Sequence, residues 1–272
     1  MKRTVFFISD GTGITAEMLG HSLLTQFEPL SISPITLPYI DTAEKAQKAL
    51  GLIHHAYQKD GAKPLVFATL INQEVRQIIA TCEGQLFDLL NTFIQPLEKA
   101  LDMKSSYRVG RSHAMIDYDA YKTRIDAINY TLANDDGIGT HNYPKADIII
   151  LGVSRSGKTP TCLYLALQHG IFAANYPLTE EELGQQSLPT ELKKYKHKSF
   201  GLTIEPERLH SIRSERRPNS RYAKLEQCRQ EIKMVETLYQ QEQIPFINTT
   251  QFSIEEIATR ILAITEIPRR IF

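Results

Sequence analysis

The sequence predicts an α/β protein with two parallel-sheet regions. Over the first hundred residues, short runs rich in β-branched and aromatic residues alternate with longer stretches of helical periodicity. Ala146–Leu151 is apolar apart from Asp147, the composition of a strand buried on both faces of a parallel sheet. Directly after it, Gly152-Val153-Ser154-Arg155-Ser156-Gly157-Lys158-Thr159 satisfies Gly-x-x-x-x-Gly-Lys-Ser/Thr in full. The expected architecture is a parallel-sheet N-terminal region (1–104), a connecting loop and helix (105–144), and a P-loop NTPase-like C-terminal region (145–272).

Each element has a local signal. Val5–Ser9 is β-branched and aromatic and runs into a glycine turn, which predicts the first strand. Thr15–Gln26 places Met18, Leu19, Leu23 and Leu24 at helical spacing. Ile32–Leu37 reads as a second strand, and Pro34, which has no N–H to donate, suits it to a sheet edge. Thr42–Tyr57 and Gln73–Thr81 read as helices around a third strand, Leu65–Leu70. Strands alternating with helices imply βαβ crossovers and a mostly parallel sheet. The stretch Lys104–His113 is polar and basic, as in an exposed loop. Tyr118–Ala133 reads as a helix stopped by Asn134-Asp135-Asp136-Gly137-Ile138-Gly139. After the motif, Thr161–Gln168 is helical, with Pro160 tolerated in the first turn and Gly170 placed as the residue beyond the C-cap. Ser253-Ile254-Glu255-Glu256 fits a capping box that opens the last helix.

Composition narrows the function. Lys plus Arg and Asp plus Glu are each 31, so the net charge is zero, which argues against a general nucleic-acid or membrane-surface binder. No apolar run approaches the length of a membrane span. The N-terminus has a short apolar run followed by a polar glycine-rich loop, a strand rather than a signal peptide, and a cytoplasmic location is expected. Cys82, Cys162 and Cys228 are odd in number and widely spaced, and the eight histidines show no ligand spacing; reduced thiols and no zinc site are expected.

The residue types of Gly152–Thr159 suit a phosphate chain. Two glycines let the backbone turn so that successive N–H groups converge on an anion, and the following helix adds the partial positive charge of its N-terminus. Lys158 is expected on the terminal phosphates, and the Thr159 hydroxyl is expected to ligate Mg²⁺. The pattern arises by chance in about one chain in a hundred of this length, and a strand before it with a helix after it makes coincidence far rarer. The absence of an Asn-Lys-x-Asp sequence favours adenine over guanine. Phe200–Ile204 runs into Glu205, a weak substitute for the acidic end of a Walker-B strand and better explained as a helix-start acid.

Secondary candidates surround the motif. Ser9-Asp10-Gly11-Thr12-Gly13-Ile14-Thr15 follows the first strand, where open α/β sheets bind ligands; it could hold a second phosphate, supply Asp10 as a base, or form a tight turn capped by Thr15. Asp10 is ranked first as proton acceptor because the P-loop contains no carboxylate. Asp135 and Asp136 rank below it, since Gly137 makes a structural turn sufficient explanation. Arg111 and His113 are candidates for an anion site on an exposed loop. Arg213, Arg216, Arg217 and Arg221 form the densest basic stretch, either a phosphate or acidic-partner site or a solvated helical face.

Several strings together resemble a known family: Ile8–Thr12 with Ile14–Glu17, Arg124–Ile128 leading to Asp135–Gly137, Gly152–Arg155 with Gly157–Thr161, Tyr164–Ala166, Ala173–Pro177, Phe200–Ile204 and Ser220–Ala223. Essentially end to end, the chain is similar to the phosphoenolpyruvate synthase regulatory proteins, the bacterial relatives of the pyruvate, phosphate dikinase regulatory proteins. The wording at Ile14–Glu17 and Asn219–Ala223 resembles the synthase branch more. The resemblance implies a bifunctional enzyme whose protein partner is phosphoenolpyruvate synthase. It implies ADP as phosphoryl donor to a threonine beside the synthase's catalytic histidine, and inorganic phosphate as the attacking group in the reverse direction, with pyrophosphate leaving. Eukaryotic-type kinase signatures are absent, so the transfer must be built on P-loop parts, Lys158 among them. A small-molecule P-loop kinase and a non-catalytic nucleotide-sensing module are the alternatives. The sequence leaves the oligomeric state open; a homodimer is one arrangement it allows.

Overall fold

The computed structural model describes residues 2–27, 29–107 and 118–271. The chain divides into two compact units, Met1–Met115 and Ile116–Phe272. Each contains a four-stranded sheet whose paired strands all run parallel.

In the first unit, β1 (Lys2–Ser9), α1 (Ile14–Leu24), β2 (Ser31–Leu37), α2 (Ala43–Asp60), β3 (Leu65–Thr69), α3 (Gln73–Ile79), β4 (Gln85–Asp88) and α4 (Leu89–Leu101) follow one another. The strand order is β2-β1-β3-β4. The two-residue period of β1 divides its side chains between two cores. Phe6 and Ile8 pack with Ala46, Ala49 and Ile53 of α2, whereas Val5 and Phe7 pack with Ala16 and Leu24 of α1 and with Phe67. β2 lies at the edge, as Pro34 requires. Helix α1 starts at Ile14 behind Gly13 with no side-chain cap, so Thr15 lies inside the helix instead of capping it. The sequence reading did not assign β4 or α4. The strand is only four residues long, and the helix carries Pro96 in its interior, a residue that reads as a helix breaker.

In the second unit, α5 (Tyr118–Ala133) leads through short 3₁₀ turns to β5 (Ile148–Gly152), α6 (Lys158–His169) and β6 (Ala173–Pro177). Then come α7 (Glu180–Gly184), α8 (Thr190–Lys193), β7 (Ser199–Thr203), α9 (Pro206–Arg216), α10 (Leu225–Gln241), β8 (Phe246–Asn248) and α11 (Ile254–Thr265). The order β6-β5-β7-β8 puts the wholly buried β5 inside the sheet. Ile148 and Ile150 pack against Cys162 and Leu165 of α6 and Ile257 and Ile261 of α11. Ile149 and Leu151 pack on the other face, with Leu209 of α9 and Val235 and Leu238 of α10. Gly170 closes α6 in the left-handed conformation, and both hydrogen bonds of the Ser253–Glu256 capping box are formed. All three cysteines are free thiols. Among the described residues, no helix is long and apolar enough to cross a membrane.

Both sheets place their first strand between the second and third, so the loops after β1 and β5 emerge where the chain's direction of winding reverses. Open α/β sheets bind ligands there, at the carboxyl ends of the strands.

Candidate phosphate-binding site

β5 delivers the chain to Gly152, where a Cβ would lie 2.5 Å from Ser156 Oγ and 2.9 Å from the Leu202 carbonyl oxygen; only glycine lets the loop fold this closely over β7. Arg155 and Gly157 both take left-handed backbone, at φ of 75° and 93°. Such reversals aim successive N–H groups into one concavity, an anion nest. Neighbouring elements pin the loop. The Leu178 N–H donates to Gly152 O at 3.1 Å, and the Thr249 hydroxyl donates to Ser156 O at 3.3 Å. Helix α6 then opens at Lys158 with its N-terminus at the nest.

The Lys158 side chain is 5% exposed, and its ammonium donates to Val153 O at 3.1 Å. Burial pulls its pKa down to about 8, against the opposing pull of the Asp136 and Asp135 carboxylates. The Thr159 hydroxyl donates to Asp135 Oδ1 at 2.9 Å, and the Asn175 amide of β6 donates to the same oxygen. The carbonyl oxygen of that Asn175 side chain accepts the Asp136 N–H at 3.0 Å. One buried asparagine therefore fixes both acidic residues beside the P-loop. Asp136, Ser154, Arg155, Gly157, Lys158, Thr159 and Pro160 enclose a cavity of about 290 Å³.

A second ring of contacts holds the loop from outside. Arg213 of α9 is fully buried, and its guanidinium forms a two-pronged ion pair with Glu231 at 2.7 and 3.2 Å. It also donates to the Ser154 carbonyl from two nitrogens, at 3.0 and 3.3 Å, and lies over the Tyr222 ring at 4.1 Å. The Tyr222 and Ser154 hydroxyls are 2.8 Å apart.

The residues singled out in the sequence separate clearly. Gly152 to Thr159 run from the end of β5 into the first turn of α6, and Val153 is wholly buried. Asp135 and Asp136 occupy a 3₁₀ turn, as Gly137 suggested, and that turn also brings them to Thr159 and Lys158. No sequence spacing signals this placement, because β6 and Asn175 create it. Arg213 is neither a solvated residue nor a phosphate ligand: its charge is spent on Glu231 and the P-loop carbonyl. Arg216, Arg217 and Arg221 of the same stretch are exposed. Glu205 sits at the N-cap of α9, the helix-start role. Asp10 belongs to the first unit, where its Oδ2 accepts the N–H groups of Ile71 at 2.6 Å and Asn72 at 3.0 Å. Arg111 and His113 lie outside the described residues.

A nest, a buried lysine, and a hydroxyl backed by a carboxylate form the donor set for a nucleotide phosphate chain. Thr159 and Asp135 are hard-oxygen groups of the kind Mg²⁺ uses, and Mg²⁺ takes one or two such ligands together with substrate phosphates, so no dedicated acidic cluster is needed. The kinase/pyrophosphorylase family model matches residues 5–262. A protein of Hahella chejuensis is 56% identical over 271 residues, covering 100% of both chains. One of Legionella pneumophila is 56% identical over 271 residues with the same coverage, and one of Pseudomonas aeruginosa is 55% identical over 270 residues, covering 99% of this chain and 98% of its own. All three are named for regulation of phosphoenolpyruvate synthase. Matched along nearly its whole length, the chain belongs to the kinase/pyrophosphorylase family.

Proposed function

We propose that this protein regulates phosphoenolpyruvate synthase by phosphorylating one of its threonines with ADP as donor, and reverses this with inorganic phosphate. The observation that carries the proposal is the placing of Lys158, Thr159 and Asp136 around one cavity, with Asp135 hydrogen-bonded to the Thr159 hydroxyl, in a chain of this family. In the forward direction the threonine Oγ bonds to the β-phosphorus of ADP, the bridging bond to the α-phosphate breaks, AMP leaves, and a carboxylate takes the hydroxyl proton. In reverse, a phosphate oxygen bonds to the phosphothreonine phosphorus, the bond from that phosphorus to the threonine Oγ breaks, the Oγ takes up a proton, and the pyrophosphate formed is released.

Gly152 to Gly157 hold the phosphate chain by backbone N–H groups, and Lys158 balances the charge on the transferred group. Mg²⁺, held through Thr159 with Asp135 behind it, would neutralise charge between the phosphates. Two carboxylates are candidates for the proton acceptor. Asp10 stands at the carboxyl end of β1 with one oxygen taken up by backbone N–H groups. Asp136 has a specific observation in its favour: it lines the phosphate cavity beside Lys158.

The test incubates the protein with β-³²P-labelled ADP and the synthase, then the phosphorylated synthase with unlabelled phosphate. Label on a synthase threonine, and later in pyrophosphate, is expected. Label on free metabolites instead would indicate a small-molecule kinase, and ADP binding without transfer would indicate a sensing module. Calorimetric titration in Mg²⁺ should find ADP bound at least as tightly as ATP.

A further inference from the structure

Ser154 lines two cavities. One is the phosphate cavity; the other, of about 380 Å³, runs between the end of β6 and the α9–α10 face. We propose that this second cavity receives the polypeptide segment of the acceptor protein that flanks the phosphorylated hydroxyl. The proposal rests on the protein-kinase reading above.

The chemistry of the lining favours a peptide over the nucleoside half of ADP. Reading a nucleobase takes donors and acceptors left over for its edges. Here the polar floor is satisfied internally. All three guanidinium nitrogens of Arg213 are engaged with Glu231, Tyr222 O and Ser154 O, the Gln227 amide donates to Glu231, and the Tyr222 hydroxyl is bonded to Ser154. What remains to offer is an apolar wall, Pro177 and Leu178, and a charged mouth, where Arg221 and Glu180 pair at 3.0 Å. Both mouth residues are well exposed, at 77% and 48%, so the pair is weak and can be exchanged for charges on a partner. An apolar anchor between one cation and one anion fits a side chain with charged or polar neighbours along an extended segment. Position agrees with chemistry. The wall begins at Pro177, the last residue of β6, the strand whose Asn175 fixes Asp136, so a segment seated there lies next to both the phosphate cavity and a carboxylate.

Arg221→Glu, Glu180→Arg and the double variant, assayed with the synthase and ADP, test the proposal. Each single reversal is expected to raise the KM for the synthase about tenfold. The Kd for ADP alone should stay within about twofold in the same variants. In the double variant the KM should remain high, because each charge faces the acceptor. Recovery of the wild-type KM there would make the pair a structural bridge and overturn the subsite. A parallel loss of ADP affinity would assign the cavity to the nucleoside. Transfer by the unsubstituted protein with unaltered KM in both single variants overturns the subsite alone; no transfer by the unsubstituted protein overturns it together with the proposed function.

Discussion

In the first unit the chain leaves its central strand through Ser9-Asp10-Gly11-Thr12-Gly13; in the second it leaves through Gly152 to Gly157. The strand orders are the same, the helices that follow open behind a left-handed glycine in both cases, and neither helix has a side-chain cap. In the second unit the loop leads to Lys158 as the first helical residue, with Asp135 and Asp136 held beside it, and Ser154, Arg155, Gly157 and Lys158 line a cavity. In the first unit a carboxylate from the loop itself, Asp10, accepts two N–H groups at the start of the segment leading into α3. In the first unit the protein's own carboxylate, from the loop after β1, thus satisfies backbone donors that follow β3. Strand order chooses where a ligand can bind; a few side chains at the switch point decide whether one does.

The largest expected effect comes from removing the feature that separates the two loops. Lys158→Ala should reduce threonine phosphorylation to background while the circular dichroism spectrum stays native, because the lysine's role is charge on phosphate. Near wild-type transfer would end the distinction between the loops. The next comparison sets the two carboxylates against each other. Asp136→Asn and Asp10→Asn keep size and remove the basic oxygen, and the true proton acceptor should lose about two to four orders of magnitude in rate at unaltered ADP affinity. The larger loss is expected at Asp136, which lines the phosphate cavity. A larger loss at Asp10 would give the first unit a direct part in the reaction, and lost ADP binding in Asp10→Asn would make it part of the nucleotide site.

Arg213→Met should lower stability by about 3–5 kcal/mol in thermal or denaturant unfolding, because it leaves Glu231 buried without its partner. Arg213→Met combined with Glu231→Met should recover much of that loss while ADP binding stays weakened, since the Ser154 carbonyl has lost its clamp. The smallest effect is in pH. With a pKa of about 8 in the empty site, Lys158 is increasingly neutral above that value. A phosphate beside the ammonium raises the bound-state pKa, so binding takes up a proton above pH 8, and affinity falls by up to about tenfold per pH unit until the bound-state value is reached. Calorimetry in buffers of different ionisation enthalpy reads that proton directly; no proton uptake at pH 8.5–9 would mean that Lys158 stays charged in the empty site.

Much of this was written locally. The α/β class, the place of β2 at an edge, the Gly170 C-cap and the Ser253–Glu256 capping box each depend on a few neighbouring residues whose geometry is fixed by φ, by a missing N–H, or by a side chain reaching its own backbone. The strand–loop–helix order around Gly152 to Thr159 was legible for the same reason: its parts are contiguous, and the pattern is complete within eight residues. The tertiary structure alone decided what stands around it. Asp135 meets Thr159 because β6 lies beside β5 and Asn175 projects between them; Arg213 is buried because α9 crosses above Ser154; Asp10 closes on Ile71 and Asn72 because β3 is the neighbour of β1. These partners are separated by 24 to 62 residues in sequence, and periodicity or capping within one element carries no information about which strand becomes the neighbour of another. A carboxylate, an asparagine or an arginine has the same local signature whether it serves the surface or the site; the order in which the sheet assembles assigns the role.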